Sequence, residues 1–307
     1  MKTVFLFSGQ GSQYPGMGGE LVEKSSQGKL ILECGSDIMG LDLAKKLSDS
    51  TPEELAQTRL SQPAIFTTSM LALAAARENG IENVAVAGHS LGEYAAMYAA
   101  GVLGIEDAFK AIKLRSEAMA KAAEDTGGAM AAIIGSDNET IEKVCAEVNG
   151  FCAPANYNSP QQTVIAGEAA AIDEAIAKFA DMGKRAVKLA VSAAFHTKLM
   201  NSAAEEFKAA IQSFTFSQPN CDFYSNLYGK KLEDLSDMPG YLAAHICSPV
   251  RFTEELEAMN SAGIDTYVEL GPGKVLTGLV KKTFRSANAM HIENAETLEK
   301  AIAALKG

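Results

Sequence analysis

One serine in this sequence stands in a context that favours nucleophilic catalysis. Residues 88–92 are GHSLG, the pattern G-x-S-x-G with Ser90 at its centre. An apolar run at 84–87 precedes it and a stretch rich in Ala, Tyr and Met follows it, which is the order of strand, tight turn and helix that a nucleophile elbow requires. The start of such a helix would stabilise an oxyanion formed when Ser90 attacks a carbonyl group. A glycine-rich turn with a capping serine is the structural alternative.

A serine nucleophile needs a general base within hydrogen-bond reach, and the sequence contains four histidines. His89 adjoins Ser90 in the elbow, so it is expected to point away from the serine and to brace the turn. His291 lies near the C-terminus, where a surface position is expected. His196 lies where an inserted segment returns to the main pattern of the chain, and it would face a cleft. It is therefore the predicted base, with a purely structural histidine as the alternative.

The elements that would position these residues alternate between strands and helices. Apolar runs at 4–7 and 84–87 are predicted strands, as is the segment 266–270, and the stretches 61–78 and 91–100 are predicted helices. This alternation predicts an α/β fold whose large lobe has a mainly parallel sheet and flanking helices.

A second pattern interrupts the first between residues 127 and 192. It has the order β-α-β-β-α-β of a ferredoxin-like unit, with strands at 129–134, 152–156, 163–166 and 185–191 and helices at 139–148 and 169–182. We therefore predict a large lobe at 1–126 and 193–307, which carries the elbow, and an inserted ferredoxin-like small lobe at 127–192. A cleft between two lobes is a usual place for a small-molecule site. Asn158 and Gln162 would line it from the small lobe, although turn chemistry explains the Asn-Ser-Pro run at 158–160 equally well.

Composition and charge exclude several classes of function. The formal net charge of −11 argues against a nucleic-acid partner, which requires a basic face. No apolar run approaches the roughly 18 residues that span a bilayer, and the apolar stretch at the N-terminus is too short for a signal peptide. Five cysteines without CxxC or His-rich spacing indicate free thiols and no metal site. A cytoplasmic protein without a membrane partner is expected.

Several motifs occur in order along the chain and together are far more specific than the elbow alone. They are GQGSQ at 9–13, GHSLGE at 88–93, Arg115, NYNSP at 156–160, Phe195 with His196, SPV at 248–250 and ELGPG at 269–273. With these motifs the sequence resembles the malonyl-CoA:acyl carrier protein transacylases of fatty-acid synthesis and the acyltransferase domains of polyketide synthases. The resemblance covers essentially the whole length.

The resemblance implies a role for each matched residue. Ser90 would form the acyl-enzyme, His196 would be the general acid and base, and the backbone N–H groups of Gln10 and Leu91 would form the oxyanion hole. Arg115 would hold the free carboxylate of malonyl, a role that suits a guanidinium because it binds carboxylates through two hydrogen bonds. A surface arginine on a helix is the alternative for Arg115.

Two further positions bear on selectivity and on the base. Phe195 goes with malonyl rather than methylmalonyl, because its ring would fill the space of an α-methyl group; one methyl group is worth only about 1–3 kcal/mol of discrimination. His245 stands where the family usually has glutamine. The resemblance implies that the backbone carbonyl there orients His196, and a second histidine nearby could shift the pKa of the base.

The resemblance also implies the substrates. They are malonyl-CoA and the phosphopantetheine thiol of an acyl carrier protein, with no cofactor, and the protein is a monomer by default. Lys184 and Arg185 are expected to form a local basic patch for CoA or the carrier protein, although solvated side chains explain them equally well.

The expected function is malonyl transfer to acyl carrier protein for fatty-acid biosynthesis, and other readings stay open. A free-standing acyltransferase that serves a polyketide synthase has the same motifs. An α/β-type serine hydrolase shares the elbow but requires an HGGG-type loop, and no such loop occurs here. A binding subunit that has lost its chemistry is the non-enzymatic alternative.

Overall fold

The computed structural model describes residues 1–306, and its strands form two separate sheets. Numbered along the chain, the strands are β1 Thr3–Phe7, β2 Ala85–Gly88, β3 Ala129–Ile134, β4 Cys152–Ser159, β5 Gln162–Gly167, β6 Arg185–Lys188, β7 Asp222–Ser225, β8 Lys230–Lys231, β9 Thr266–Leu270 and β10 Asn288–Ile292. The larger sheet has the order β10-β9-β1-β2-β7-β8. Its pairs are parallel from β10 to β7, and only the short edge strand β8 is antiparallel.

Helices flank both sheets and link their strands. They are α1 Gly28–Met39, α2 Leu43–Asp49, α3 Pro52–Leu55, α4 Thr58–Glu78, α5 Gly92–Ala99, α6 Ile105–Thr126, α7 Asn138–Glu147, α8 Ala169–Asp181, α9 Asn201–Ala210, α10 Met238–Cys247, α11 Phe252–Ser261, α12 Val275–Thr283 and α13 Ala295–Lys306. Helix α4 contains an unbroken run of buried residues from Leu60 to Leu73. Among these helices, none is long and apolar enough to cross a bilayer.

The smaller sheet belongs to the inserted segment. Its order is β4-β5-β3-β6, every pair is antiparallel, and α7 and α8 pack on it. This is the strand order of a ferredoxin-like unit. A separate apolar core, which includes Ile133, Ile165 and Phe179, fills the space between this sheet and its two helices. The predicted fold class, a mainly parallel large lobe with an inserted ferredoxin-like lobe, is confirmed.

Two predicted strands of the insertion have different ends in the structure. Strand β4 continues to Ser159, so the turn is confined to residues 160–161. Strand β6 ends at Lys188 rather than at Val191. The apolar residues 189–191 leave the sheet and form part of a pocket wall between the lobes, which explains their composition without a strand.

The apolar strand β1 fixes the position of the site. All five of its residues are buried, because parallel strands are covered on both faces and therefore form continuous apolar runs. It pairs with β2 in the register that sets Phe7 beside Gly88. Both strands thus end at the same edge of the sheet, where α/β proteins place their ligands.

Candidate active site

The elbow after β2 holds Ser90 in a backbone conformation that few residues adopt. Ser90 has φ 55°, in the left-handed region that is uncommon for residues other than glycine. The flanking glycines are required because the chain passes close to its neighbours. A Cβ at Gly88 would lie 2.0 Å from the carbonyl carbon of Gly92, and a Cβ at Gly92 would lie 2.1 Å from the carbonyl oxygen of Phe7. The G-x-S-x-G pattern therefore follows from steric limits on this turn.

Ser90 and His196 lie in direct contact inside the protein. The distance from Ser90 Oγ to His196 Nε2 is 2.7 Å, and both residues are buried. His196 itself has φ 60°. Two non-glycine residues with positive φ thus face each other, and strain of this kind is concentrated at functional sites.

The other ring nitrogen of His196 is held by backbone carbonyls at the end of α10. Nδ1 lies 3.1 Å from the carbonyl oxygen of His245 and 3.2 Å from that of Ser248. Position 249 is proline, so it has no N–H to bond the His245 carbonyl in the helical manner, and that oxygen remains free. Since carbonyls only accept, Nδ1 donates to them and Nε2 is left to accept the Ser90 hydroxyl proton.

The surroundings of His196 keep its imidazole neutral. Burial is the main cause that lowers its pKa well below the ordinary value, and the charges of His245, Arg115 and His89 lower it further. The hydrogen bond to the His245 carbonyl acts in the opposite direction. A neutral imidazole is the form that can remove a proton from Ser90.

Arg115 on α6 lies beside the nucleophile and not on the surface. Its side chain is 1% exposed, its Nη2 donates to Ser90 Oγ at 3.0 Å, and its Nη1 donates to Gln62 Oε1 at 2.6 Å. The ring of Tyr94 lies under the guanidinium, 5.5 Å from its central carbon. Over residues 1–306, no Asp or Glu forms an ion pair with Arg115, and its Nε has no hydrogen-bond partner. An unpaired buried cation is costly, so this arrangement suits an anionic ligand.

The two predicted oxyanion donors lie next to Ser90 with their N–H groups available. Gln10, in the loop after β1, lines the same pocket as Ser90. Leu91 directly follows Ser90 in the chain. Within the described chain, neither backbone N–H has a hydrogen-bond partner. A tetrahedral intermediate on Ser90 could accept from both.

A pocket of about 260 Å³ opens onto Ser90 and His196. Its walls are mostly apolar and include Met119, Met130, Leu189 and Phe195. A wider groove of about 640 Å³ shares part of this wall, at Ala56, Ala190, Val191 and Phe195. The predicted selectivity residue Phe195 therefore stands where the pocket and the groove meet. No cluster of three potential metal ligands occurs in residues 1–306.

The structure does not place Asn158 or Gln162 on the pocket wall. Asn158 Oδ1 accepts a hydrogen bond from His89 Nε2 at 2.8 Å, and its amide nitrogen lies 3.5 Å from Gln162 Oε1. Asn156, two residues earlier on β4, lines the pocket instead. The amide of Asn158 is directed to His89 and braces the back of the elbow, and that contact corrects the sequence-based expectation.

Lys184 and Arg185 also lie away from the pocket. They precede or begin β6, whereas the pocket wall starts at Leu189 after the strand has ended. Four residues of extended strand span about 13 Å. Lys184 Nζ donates to the carbonyl of Gly135 at 2.7 Å. These cations can therefore meet only a distant part of a ligand or partner.

Three polar residues near the site were missed in the sequence. Gln62 accepts from Arg115, Asn226 Oδ1 accepts from the N–H of Ser90 at 2.6 Å, and Glu93, the last residue of the GHSLGE motif, is fully buried and accepts from the N–H of Asn226. The signals were present: Gln62 interrupts an apolar helix, and Asn226 directly follows buried strand β7. Polar residues after parallel strands are candidates for a site at that edge.

Comparisons with known proteins agree with this geometry. Residues 4–304 match the family model described as the acyl transferase domain. The malonyl CoA-acyl carrier protein transacylase of Bacillus subtilis (strain 168) is 38% identical over 309 residues, which cover 99% of this chain and 98% of the relative. The crystal structure of a protein with the same name from Clostridium perfringens has a TM-score of 0.95 at 33% identity, over 100% of this chain and 98% of that one.

A third match is a complex. It contains a type II PKS acyl-carrier protein and its malonyl-transacylase, and the matched chain has a TM-score of 0.94 at 34% identity. The match covers 99% of this chain and 100% of that one.

Proposed function

This chain belongs to the acyl transferase domain family, and on that premise we propose that it transfers a malonyl group from malonyl-CoA to the phosphopantetheine thiol of an acyl carrier protein. The reaction serves fatty-acid biosynthesis and passes through an acyl-enzyme on Ser90. One observation carries the choice of malonyl: the buried, unpaired guanidinium of Arg115 lies 3.0 Å from the nucleophile. A malonyl group differs from acetyl only by a carboxylate, the group that such a guanidinium binds.

In the first half of the reaction, His196 Nε2 takes the hydroxyl proton of Ser90 while Oγ attacks the thioester carbonyl. The oxyanion accepts hydrogen bonds from the N–H groups of Gln10 and Leu91. When the tetrahedral intermediate collapses, the carbon–sulfur bond breaks and His196 returns the proton to the departing CoA sulfur. The malonyl group is then an ester of Ser90.

In the second half, the carrier thiol enters the same pocket and gives its proton to His196. Its sulfur attacks the ester carbonyl, the oxygen of Ser90 leaves, and His196 restores the serine proton. Both halves need one base that is neutral at rest, and the lowered pKa of His196 supports this role. The reaction uses one nucleophile, Ser90, which receives the malonyl group from CoA and passes it to the carrier thiol. This is ping-pong chemistry without a cofactor.

The position of Arg115 explains how the free carboxylate would be held. In the structure its Nη2 donates to Ser90 Oγ and its Nη1 to Gln62. Because Gln62 fixes one side of the guanidinium, its remaining N–H groups keep a defined direction toward an acyl group on Ser90. Phe195 limits the space beside that group, which supports a preference for malonyl over methylmalonyl.

The choice of carrier rests on the relatives. The Bacillus subtilis relative is named for an acyl carrier protein without further specification, and the complex described above contains a carrier of a type II PKS. We place this chain in fatty-acid synthesis, with a polyketide carrier as the second candidate. All the named residues of the site come from one chain, so a monomer would hold a complete active site. A cytoplasmic location stays a prediction.

Mass spectrometry of the intact protein after incubation with malonyl-CoA tests the proposal. The unmodified chain should gain the mass of one malonyl group, and Ser90→Ala should gain none. Ser136→Ala removes another buried serine hydroxyl, which has no hydrogen-bond partner, and should acylate normally. An adduct that persists in Ser90→Ala would refute the acyl-enzyme. Steady release of malonate without a thiol acceptor would identify a hydrolase instead.

A further inference from the structure

A second histidine lies directly behind the proposed base. The ring of His245, on the last turn of α10, is 1% exposed, and its centroid lies 5.7 Å from that of His196. Its Nε2 lies 2.7 Å from Glu93 Oε2, and its own carbonyl oxygen lies 3.1 Å from His196 Nδ1. One residue therefore contacts α5 through its side chain and the proposed base through its main chain.

Glu93 is the other half of this contact, and it is built into the elbow. It lies three residues after Ser90 in the first turn of α5 and is fully buried. A carboxylate at that end of a helix is favoured by the helix dipole. Its Oε1 accepts from the hydroxyl of Tyr241 and from the N–H of Asn226 at 3.3 Å. Its Oε2 lies 2.7 Å from His245 Nε2 but forms no hydrogen bond of good geometry within residues 1–306.

Asn226 closes the link between the two halves of the site. Its Oδ1 accepts from the N–H of Ser90 at 2.6 Å, and its Nδ2 donates to the carbonyl of Gly88 at 2.6 Å. Buried hydrogen bonds therefore run from the nucleophile turn through Asn226 to Glu93, and the close contact of Glu93 with the ring of His245 extends them. Networks of this kind are rigid when their members are satisfied.

The contacts of the His245 ring show which of them can hold it. Tyr241 stacks on it at 13° and 6.4 Å, and Tyr94 lies at 6.4 Å on another side. Over residues 1–306 its Nδ1 has no hydrogen-bond partner. The contact at Nε2 with Glu93, at 2.7 Å, is much shorter than that with Asn226 Oδ1, at 3.3 Å. Nε2 thus has its hydrogen bond with Asn226, and Glu93 Oε2 is the nearer of the two oxygens that the ring faces.

We propose that Glu93 and His245 form a buried positioning pair that holds the carbonyl of His245 against His196 Nδ1 and ties it to the Ser90 elbow. The pair acts through His196 and touches no substrate. The carbonyl can serve this purpose only while the last turn of α10 stays in place, because the proline at 249 removes the usual helical partner of that oxygen. The proposal rests on the proposed function only in taking His196 as the base.

Three substitutions separate positioning from packing. His245→Leu replaces the ring with an apolar side chain of comparable bulk and removes the nitrogen that contacts Glu93. Glu93→Gln replaces one carboxylate oxygen with an NH2 group, which cannot accept. The Tyr241 hydroxyl, the Asn226 N–H and the His245 ring then share a single acceptor oxygen. His245→Gln retains an N–H donor that can reach Glu93. We expect the single-turnover rate of Ser90 acylation by malonyl-CoA to fall about tenfold or more in the first two variants and to be largely restored in the third.

A spectroscopic readout tests the same point without relying on activity. Nitrogen-15 NMR of histidine-labelled protein resolves only four imidazoles, and single substitutions assign them. In the unmodified protein, His196 should carry its proton on Nδ1 as one tautomer. His245→Leu and Glu93→Gln should give a mixture of tautomers, and His245→Gln should return the single form. If malonyl transfer itself were absent, this readout would still decide the positioning proposal.

The chain offers a matched control in a second histidine–glutamate contact. His291 Nε2 lies 3.3 Å from Glu293 Oε1, half-buried at the edge of the large sheet. His291→Leu should leave both the acylation rate and the His196 tautomer unchanged. The proposal is overturned if His245→Leu and Glu93→Gln keep the normal rate and tautomer, or if His245→Gln loses as much as His245→Leu. Should one variant fail to fold, the others decide the question by the same measurements.

Discussion

The two lobes meet at one pocket but contribute to it in different ways. The large lobe supplies the reacting groups, joined by short buried contacts: Ser90 to His196 at 2.7 Å and Arg115 to Ser90 at 3.0 Å. The small lobe supplies a wall that is mainly apolar, with Met130 and Leu189 beside the single amide of Asn156. The large lobe therefore provides the reacting groups, and the insertion shapes the pocket in which they act.

This division follows from how each lobe is built. The carboxyl ends of parallel strands leave loops and helix N-termini at one edge, which can orient charged and polar groups without exposing them. An antiparallel sheet with helices on one face offers the other face as a smooth surface. His196 lies just beyond the insertion, so the small lobe affects the chemistry by fixing where the chain returns.

Arg115→Ala should produce the largest change in acyl selectivity. It is the most direct test of the claim that the large lobe, and not the small one, provides the reacting groups. The ratio of malonyl to acetyl transfer should fall by about 100-fold or more, because a buried charge-assisted contact with the carboxylate is lost. Asn156→Ala, on the small-lobe wall, should change the ratio by less than about tenfold. Competition between malonyl-CoA and acetyl-CoA, with both acyl-enzymes measured by mass, gives the ratio directly.

An exposed arginine provides the control for that prediction. Arg59 borders the wider groove and pairs with Glu124 at 3.0 Å. Arg59→Ala should keep the wild-type preference for malonyl. If Arg115→Ala also kept it, the buried guanidinium would have no part in acyl selection.

The stability of the two lobes should differ at a matched pair of amides. Asn226 is fully buried and bonds Ser90, Gly88 and Glu255, whereas Asn158 has its one close contact with His89. We expect Asn226→Ala to lower the free energy of unfolding by about 2–3 kcal/mol, since it leaves buried groups without partners, and Asn158→Ala by about 1 kcal/mol or less. Urea denaturation measures both, and equal losses would remove the distinction between the lobes.

The pH dependence of acylation should report the charges of the large lobe. Burial, followed by the charges of His245, Arg115 and His89, lowers the pKa of His196, so its neutral form persists as the pH falls through the ordinary value of about 6.5. The single-turnover rate should stay flat to that pH and then drop about tenfold per unit below the lowered pKa. A midpoint at or above 6.5 would contradict this reasoning.

A pair of substitutions localises the effect on pH. Arg115→Gln removes a positive charge near His196, so the acid midpoint measured with acetyl-CoA should move upward. Arg185→Gln, on the exposed start of β6, should not move it. An equal shift in both variants would mean that net charge, and not the local site, controls the base.

Sequence patterns predicted the fold and the reacting groups because both depend on local rules. Continuous apolar runs such as those in β1 and β2 indicate buried parallel strands, and the close approach of the chain at Gly88 and Gly92 leaves a fixed pattern around the serine. Periodicity could not show that residues 189–191 form a pocket wall, since an apolar run has the same composition in a strand and beside a cavity.

The supporting contacts were beyond the sequence for a different reason. Asn226 reaches the elbow from 136 residues further along the chain, and Glu255 in turn bonds Asn226; only the folded chain sets such distances. The contact between Glu93 and His245 is of the same kind. Sequence motifs thus located the groups that react, and the structure was needed to find the groups that hold them.

The smallest effect is expected at the basic residues of the small lobe. Because Lys184 and Arg185 lie about 13 Å along the strand from the pocket wall, they can act on a polyanionic substrate or carrier only through long-range attraction. Lys184→Glu with Arg185→Glu should raise the apparent KM for the carrier by about two- to threefold at low salt, and the effect should vanish near 1 M salt, where charges are screened within about 3 Å. Lys143→Glu with Lys178→Glu, on α7 and α8 of the same lobe, matches the change in charge at another place. An equal rise in KM in the control variant would mean that net charge alone causes the effect. No rise in either variant would mean that the small lobe contributes only the shape of the pocket.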